Sequence, residues 1–476
     1  MYKRKINWVV AILIIAAILF FSKHLKADLN DEAIGKPLDM QQAIRLAQKH
    51  DPLIQASVSE ENAYRSKSIS AGTLPDPMVS LNLANIDTDT YDLKTQAMSQ
   101  VKIGFSQSIP RGDTLDLQRQ KLDQHSQEYI FVRLNRIAEI QREVGSIWLD
   151  LYAAEKSIDL IMQNKVLFEQ LTDLVQSSYS TGVGKTRQQD MIRAELELTR
   201  LKDQLTDLQR QKQNHLIQLQ NWLKLESLSG YLDSGLKTNQ QNQNNQQNQF
   251  AESDNLKISL KLPVIDISNT QLLKQDVSRQ YIMDLLMQHP KMQQLNLKVE
   301  AGNTQIAIEE QKYKPSWNLN SSYGYRESDP FGNERADLFS IGVSFDVPLF
   351  TGNKQDKDVE SAVFKQSSIK SQRTHLFKTM VTGLENAKSN YLLLKERQAL
   401  YQNHLLPQMS QQAEASINAY TNDIGDFAEV VRARIADLNA QIQGLNIDVE
   451  VQKTALMLNY FLAATHPQQA IEMGSK

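Results

Sequence analysis

Between Thr114 and Ser178 apolar residues recur at alternating steps of three and four. One row reads Ile137, Val144, Leu151, Ile158, and its companion reads Ile140, Ile147, Ala154, Ile161, Phe168, Val175. A 3-4 spacing held this long predicts a coiled-coil seam on one continuous helix. The stretch holds no proline and a single glycine, Gly145. At about 1.5 Å of rise per residue it makes a rod of roughly 100 Å. Helices of compact domains average about 11–12 residues, so a single globular core does not fit this chain. A second seam, Ala194, Leu198, Leu201, Leu205, Leu208, then Leu219 and Trp222, follows a Gly182–Gly184 turn and predicts an antiparallel helical hairpin.

Ahead of the long helix the pattern changes period. A helical stretch from Leu38 to about Thr73 has an apolar face at Ala43, Ile44 and Ala47, and a break at His50-Asp51-Pro52. Leu74-Pro75-Asp76-Pro77 stops it. Val79, Leu81 and Leu83, then Val101, Ile103, Phe105, Gln107 and Ile109, alternate with small or polar residues, which is the two-residue period of strands. Ser227 to Asp276 contains an unbroken Asn/Gln tract, Asn239 to Gln249, and reads as a solvated linker. Its Leu260, Leu262, Val264, Ile265 and Ile267 predict a small strand or a docking segment.

The whole arrangement is then replayed. Pro52 returns as Pro290, Pro77 as Pro315 and Pro110 as Pro348, each 238 positions on, and the turn glycine Gly184 returns as Gly425. Trp317, Leu319, Ser321, Tyr323 and Tyr325 alternate, as do Phe339, Ile341, Val343, Phe345 and Val347, and heptad helices follow. The predicted organisation is a first repeat over 38–225, a linker or equatorial segment over 226–276, a second repeat over 277–464 and a tail over 465–476. Four strands per chain cannot close a membrane barrel, and open edges in lipid would leave backbone groups unpaired. If the strands meet lipid, several chains must share one barrel, joined end-on to a long helical tube.

Composition narrows the picture. Net charge is −3, which gives no reason to expect nucleic acid as a partner. There is no cysteine, which removes disulfides, thiolate zinc sites and an N-terminal lipid on cysteine. Lys3, Arg4 and Lys5, the apolar run Trp8 to Phe21 and a polar segment ending at Ala27 predict a signal peptide over 1–27, with an uncleaved anchor as the alternative. Gly184-Lys185-Thr186 imitates the end of a phosphate-binding loop, but Tyr179 stands where its first glycine belongs, and a helix rather than a strand precedes it. Met283, Met287 and Met292 beside His289 have core spacing on a helix more than ligand spacing. No catalytic constellation and no cofactor site emerges, and the chain is not expected to be an enzyme.

With these motifs in place the chain resembles the TolC family of outer-membrane efflux ducts, over about Leu38 to Ala464. Val347-Pro348-Leu349-Phe350-Thr351-Gly352 is similar to that family's junction from strand to long helix; Leu405-Leu406-Pro407-Gln408 with Tyr420 and Gly425 is similar to its second hairpin. Leu74-Pro75-Asp76-Pro77, the Asn85 to Asp89 loop and Ser106-Gln107-Ser108-Ile109-Pro110 resemble the heavy-metal branch, from which the missing N-terminal cysteine departs. The resemblance implies a mainly α fold with membrane β: a homotrimeric duct with a twelve-stranded outer-membrane barrel, a periplasmic α-helical barrel and an equatorial belt. It implies outer-membrane lipid, a periplasmic adaptor protein and an inner-membrane resistance-nodulation-division pump as partners, and the outer membrane of a Gram-negative bacterium as location. Val183, Gly184, Lys185 and Thr186 are similar to the family's adaptor-contact tip, with Ile424, Gly425 and Asp426 in the second copy. In a symmetric oligomer Asp190 and Glu429 become charge rings near the tube's mouth and candidate gates, with Asp423 and Asp426 as weaker candidates; the plainer role is a helix-start acid favoured by the dipole. The expected function is passive conduction of heavy-metal cations out of a tripartite efflux system. A type I secretion or multidrug duct of the same fold is the alternative, and a periplasmic coiled-coil adaptor ranks below both.

Overall fold

A computed structural model of the chain describes residues 38–181, 187–223, 261–274, 277–422 and 424–463. The expected signal peptide, the Asn/Gln tract and the C-terminal tail lie outside the described residues. The contacts divide the chain into two compact units, one formed by 1–50 with 147–263, the other by 51–146 with 264–476.

In the first unit, α1 (Met40–His50) is opened by a reciprocal cap. The Gln42 N–H donates to Asp39 Oδ1 at 2.7 Å, and the Asp39 N–H donates to Gln42 Oε1 at 3.1 Å. Its face of Met40, Ala43, Ile44 and Ala47 is fully buried, and the helix packs on α4 (Gln188–Leu223). The long helix α3 (Thr114–Thr181) runs 68 residues without a break. From Ile147 onward it belongs to this unit, where Leu151, Ala154, Ile161, Phe168 and Val175 are buried at the spacing the sequence predicts. Ser157 and Asn164 fill the same stripe, so small and polar residues also occupy seam positions. Lys212 of α4 pairs with Glu155 of α3 at 3.2 Å.

The second unit begins with α2 (Pro52–Ala71). Asp51 caps it, accepting from the N–H groups of Leu53 and Ile54, each at 3.0 Å. Strands β1 (Met78–Ala84) and β2 (Gln100–Ile109) lead into the first part of α3. Helices α5 (Arg279–Met287) and α6 (Pro290–Glu310) precede β3 (Trp317–Tyr325) and β4 (Leu338–Phe345). Then α7 (Gln355–Leu400), a π-helical turn over Tyr401–Leu405 and α8 (Leu406–Thr421) run on as one helical column, and α9 (Phe427–Phe461) returns along it. The π turn sits just ahead of Pro407, whose ring has no N–H to give and collides with the carbonyl four residues back.

Ile267, Leu272, Ile282, Leu286, Met292, Met380, Leu384, Ala387, Ala455 and Leu458 form one buried core of this unit. The segment with the sequence Val264 to Ile267 therefore docks rather than adding a strand. Asn459 fixes it, accepting from the Ser268 N–H at 2.9 Å and donating to the Asp266 carbonyl at 2.8 Å. Gly145 of α3 and Gly383 of α7 stand 238 positions apart and do the same job. A Cβ on Gly145 would lie 2.6 Å from Leu456, and one on Gly383 would lie 2.6 Å from Phe461, so each glycine admits a side chain of α9.

Candidate functional site

The four strands form one antiparallel sheet in the order β1-β2-β3-β4. They have 7, 10, 9 and 8 residues, close to the 9–11 that a tilted membrane-crossing strand needs. The register places like with like. Leu81 faces Ile103 and Ile103 faces Tyr323; Ile109 faces Trp317 and Trp317 faces Phe345; Tyr323 faces Phe339. Because side chains alternate, one face collects Val79, Leu81, Ile103, Phe105, Trp317, Leu319, Tyr323, Ile341 and Val343. The other collects Ser80, Asn82, Lys102, Gly104, Ser106, Asn318, Asn320, Ser322, Ser340 and Ser344. No described residue covers the apolar face: Val79 is 74% exposed and Ile341 70%. Contiguous apolar area of this extent is rare on a soluble monomer and marks a surface meant for a partner or lipid. No described helix is long and apolar enough to cross a membrane. The outer edges of β1 and β4 pair with no described strand.

On the polar face a Cβ on Gly104 would lie 2.6 Å from Ser80 Oγ, so glycine there leaves room for the side chain of the neighbouring strand. The two connecting loops at one end of the sheet are tied together by cations. Arg335 donates to the carbonyls of Gln96 at 2.9 Å and Lys94 at 3.1 Å, Arg326 donates to the Ala97 carbonyl at 3.4 Å, and Lys94 pairs with Glu327 at 3.4 Å. At the opposite end the strands hand over to helices through a second polar cluster. Arg111 pairs with Asp346 and donates to the Lys312 carbonyl at 3.2 Å. Asp346 also accepts from the N–H and hydroxyl of Ser316, both at 2.6 Å. Lys312 bridges Glu309 at 2.6 Å and Asp358 at 2.8 Å. Gly112 holds the turn from β2 into α3 at φ 44, and a Cβ there would strike Gln311 at 2.4 Å.

Of the expected adaptor-contact residues, Val183, Gly184, Lys185 and Thr186 lie outside the described residues, as does Asp423. The second tip is described from Ile424. The N–H groups of Ile424 and Gly425 both donate to the Ala419 carbonyl, at 3.0 and 2.9 Å, closing the turn tightly. A Cβ on Gly425 would lie 2.8 Å from the Tyr420 nitrogen, which leaves no room for another residue. Ile424 projects from this turn 85% exposed. Asp426 caps α9, accepting from the Ala428 N–H at 3.3 Å, and Phe427 folds under it against Tyr420.

The two expected gate acids hold the same place in their helices. Asp190 is the third residue of α4 and Glu429 the third of α9. Their surroundings differ. Asp190 is buried and accepts from the Arg187 N–H at 2.9 Å, the reach-back half of a capping box. Glu429 is exposed and pairs with Arg432 at 3.3 Å.

His289 is fully buried at the N-cap of α6. Its Nδ1 accepts from the Lys291 N–H at 3.2 Å, so Nε2 carries the proton and donates to the Tyr460 carbonyl at 3.0 Å. Burial pushes the imidazole down to about 4. Both ring nitrogens are therefore committed and neither faces the methionines, of which Met292 is packed in the core. No group of residues that could hold a metal is present among the described residues.

Several contacts here leave no trace in sequence periodicity. The arginine ties between loops and the buried pairs Arg133–Glu61 at 2.9 Å and Arg136–Asp51 at 2.8 Å join residues far apart in the chain.

Comparison with known proteins points the same way. Residues 281–463 match the Outer membrane efflux protein family. No curated protein sequence matches the chain. The structure is similar to the Campylobacter jejuni CmeC outer membrane channel, with a TM-score of 0.69 and 13% identity over 92% of this chain and 89% of that one. It is similar to CusC, with a TM-score of 0.67 and 13% identity over 92% and 96%. It is also similar to the open state of the Neisseria gonorrhoeae MtrE outer membrane channel, with a TM-score of 0.65 and 13% identity over 89% of each. The chain has the fold of these outer-membrane channels.

Proposed function

We propose that this chain is the outer-membrane duct of a tripartite efflux system, and that it conducts solutes passively. The observation that carries this reading is the open, two-faced sheet. Its uncovered apolar side suits lipid, its polar side suits water, and its unpaired edges require further strands. Three copies supply twelve strands, an even number that closes into a barrel. The helical hairpins of the three copies form the periplasmic tube, in the outer membrane of a Gram-negative cell.

The tips at Val183–Thr186 and Ile424–Asp426 dock on a periplasmic adaptor, which links the duct to an inner-membrane pump of the resistance-nodulation-division type. A rigid turn that projects one bare isoleucine is suited to a groove on a partner helix. Asp190 and Glu429 form acidic rings beside those tips and gate the mouth. Heavy-metal cations are the cargo that the sequence resemblance suggests; a multidrug or type I secretion duct would have the same fold.

Native mass spectrometry of the detergent-purified chain is the test of assembly. A trimer is expected, and a stable water-soluble monomer overturns the reading. Cargo is read from a deletion strain challenged with copper, silver, zinc, cobalt, cadmium and common drugs. Loss of tolerance to metals alone supports the metal reading, and loss confined to drugs replaces it with multidrug efflux.

A further inference from the structure

Lys102 is the one charged residue in any of the four strands. It lies on the polar face as the third residue of β2, toward the loop end of that strand, between Asn82 on β1 and Gly324 on β3. Its other neighbours on that face are Gln100, whose side chain lies over Gly324, and Gly104, over which Ser80 lies. No described residue gives its ammonium group an ion-pair or hydrogen-bond partner. The other charged side chains of this region lie in the loops and junctions at the ends of the strands, where Lys94 pairs with Glu327 and Arg111 with Asp346. A lysine with no described ion-pair partner, set in a neutral Asn, Ser and Gly lining, adds nothing to packing that a glutamine would not supply.

We infer that Lys102 is a charge-selecting residue of the barrel lumen, favouring anionic and neutral solutes over free cations. This rests on the proposed three-chain barrel. Strands about 4.8 Å apart and tilted about 40° put the wall of a twelve-stranded barrel roughly 12 Å from its axis. Three lysine stems carry their ammonium groups inward from that wall. They then stand within about one Debye length, 8 Å at physiological salt, of the axis. A ring of like charges at that distance raises the local concentration of counter-ions and repels co-ions. The cargo is narrowed accordingly: a free metal cation meets a positive constriction, whereas an organic anion or an anionic metal complex does not.

The test uses the full-length protein in planar lipid bilayers under a potassium chloride gradient, at low and high salt. The readout is the chloride-to-potassium permeability ratio of wild type, Lys102→Arg, Lys102→Gln and Lys102→Glu. The ratio should hold in the arginine variant, fall at least about twofold in the glutamine variant and fall further in the glutamate variant, with the differences shrinking at high salt. Differences between proteins cancel any contribution from charges at the hairpin tips. Equal ratios in all four conducting proteins overturn the inference and leave the duct standing. Absence of conductance from wild type and from a tip-loosening Asp190→Asn variant alike overturns the duct, and the inference with it. Native mass spectrometry of each variant confirms that the same oligomer is compared.

Discussion

The two long helical columns of the chain have nearly the same length and reach it differently. The first, α3, is 68 residues of uninterrupted α-helix. The second spans 355–421 and carries a π turn at Tyr401–Leu405 before Pro407. Ahead of that turn the copies are in register at 238, as Gly145 and Gly383 show. A π turn holds one residue more than an α-helical turn, and here it carries the second column past Pro407 as continuous helix. Gln398 and Gln402, one on each side of the turn's start, both donate to Asp448 of α9, at 2.7 and 3.2 Å. At the starts of the returning helices the two halves differ: Asp190 is a buried cap and Glu429 an exposed ion pair.

The equivalence of the copies is tested most severely at the sheet. Ile103 and Ile341 are 238 apart and both lie on the apolar face. Ile103→Arg and Ile341→Arg should each lose the trimer from the outer-membrane fraction, at a cost of about 2–4 kcal/mol per chain in mid-membrane. Ser340→Arg, on the polar face, should keep it. An Ile103 variant that assembles normally would show that the first hairpin does not share the wall.

His289, the N-cap of α6, should make the fold sensitive to acid. The folded pKa of His289, about 4, is below its ordinary 6.5. Between these values the unfolded chain binds more protons, so the contribution is complete above pH 6.5 and is lost as pH falls toward 4. The full span is on the order of 3 kcal/mol. Thermal unfolding of wild type should drop over that window, and His289→Asn should flatten the drop. An unchanged slope would remove His289 as its source.

The paired glycines should separate more modestly. Leu456, against Gly145, is buried, so Gly145→Ala overpacks a fixed site and should cost about 1–2 kcal/mol net of its helix-propensity gain. Phe461, against Gly383, is only half-buried and can swing, so Gly383→Ala should be close to neutral. Thermal melts decide it; equal losses would mean that Phe461 is as fixed as Leu456. The smallest contrast is at the tips. Asp190→Ala should cost about 1 kcal/mol as a lost cap, and Glu429→Gln less than about 0.5. Equal melting temperatures for these two variants would deny Asp190 its capping role.

Much of this was legible in the sequence because it is periodic. The two-residue alternation located the four described strands, the buried stripe from Ala154 to Val175 follows the predicted heptads, and the prolines Pro52 and Pro290 marked helix breaks, at which the structure places the caps Asp51 and His289. What was not legible depends on contacts between distant residues. Pro407 is visible in the chain, but its π turn follows from a collision with a carbonyl and carries no compositional sign. The shared position of Asp190 and Glu429 at the third residue of their helices was hidden because the turn glycines, Gly184 and Gly425, lie six and four residues ahead of them. The ties from Arg335 to Lys94 and Gln96 join a side chain to backbone carbonyls, which any residue would offer.

The unpaired margins of β1 and β4 also bear on how the protein is made. Each strand offers a bare row of amide and carbonyl groups on a surface already rich in isoleucine and phenylalanine, and such a margin zips to any strand it meets. A newly made chain with such margins is adhesive before it is useful. Under the proposed three-chain assembly its yield is set by a race between finding two siblings and clumping with strangers, and overproduction favours the clump.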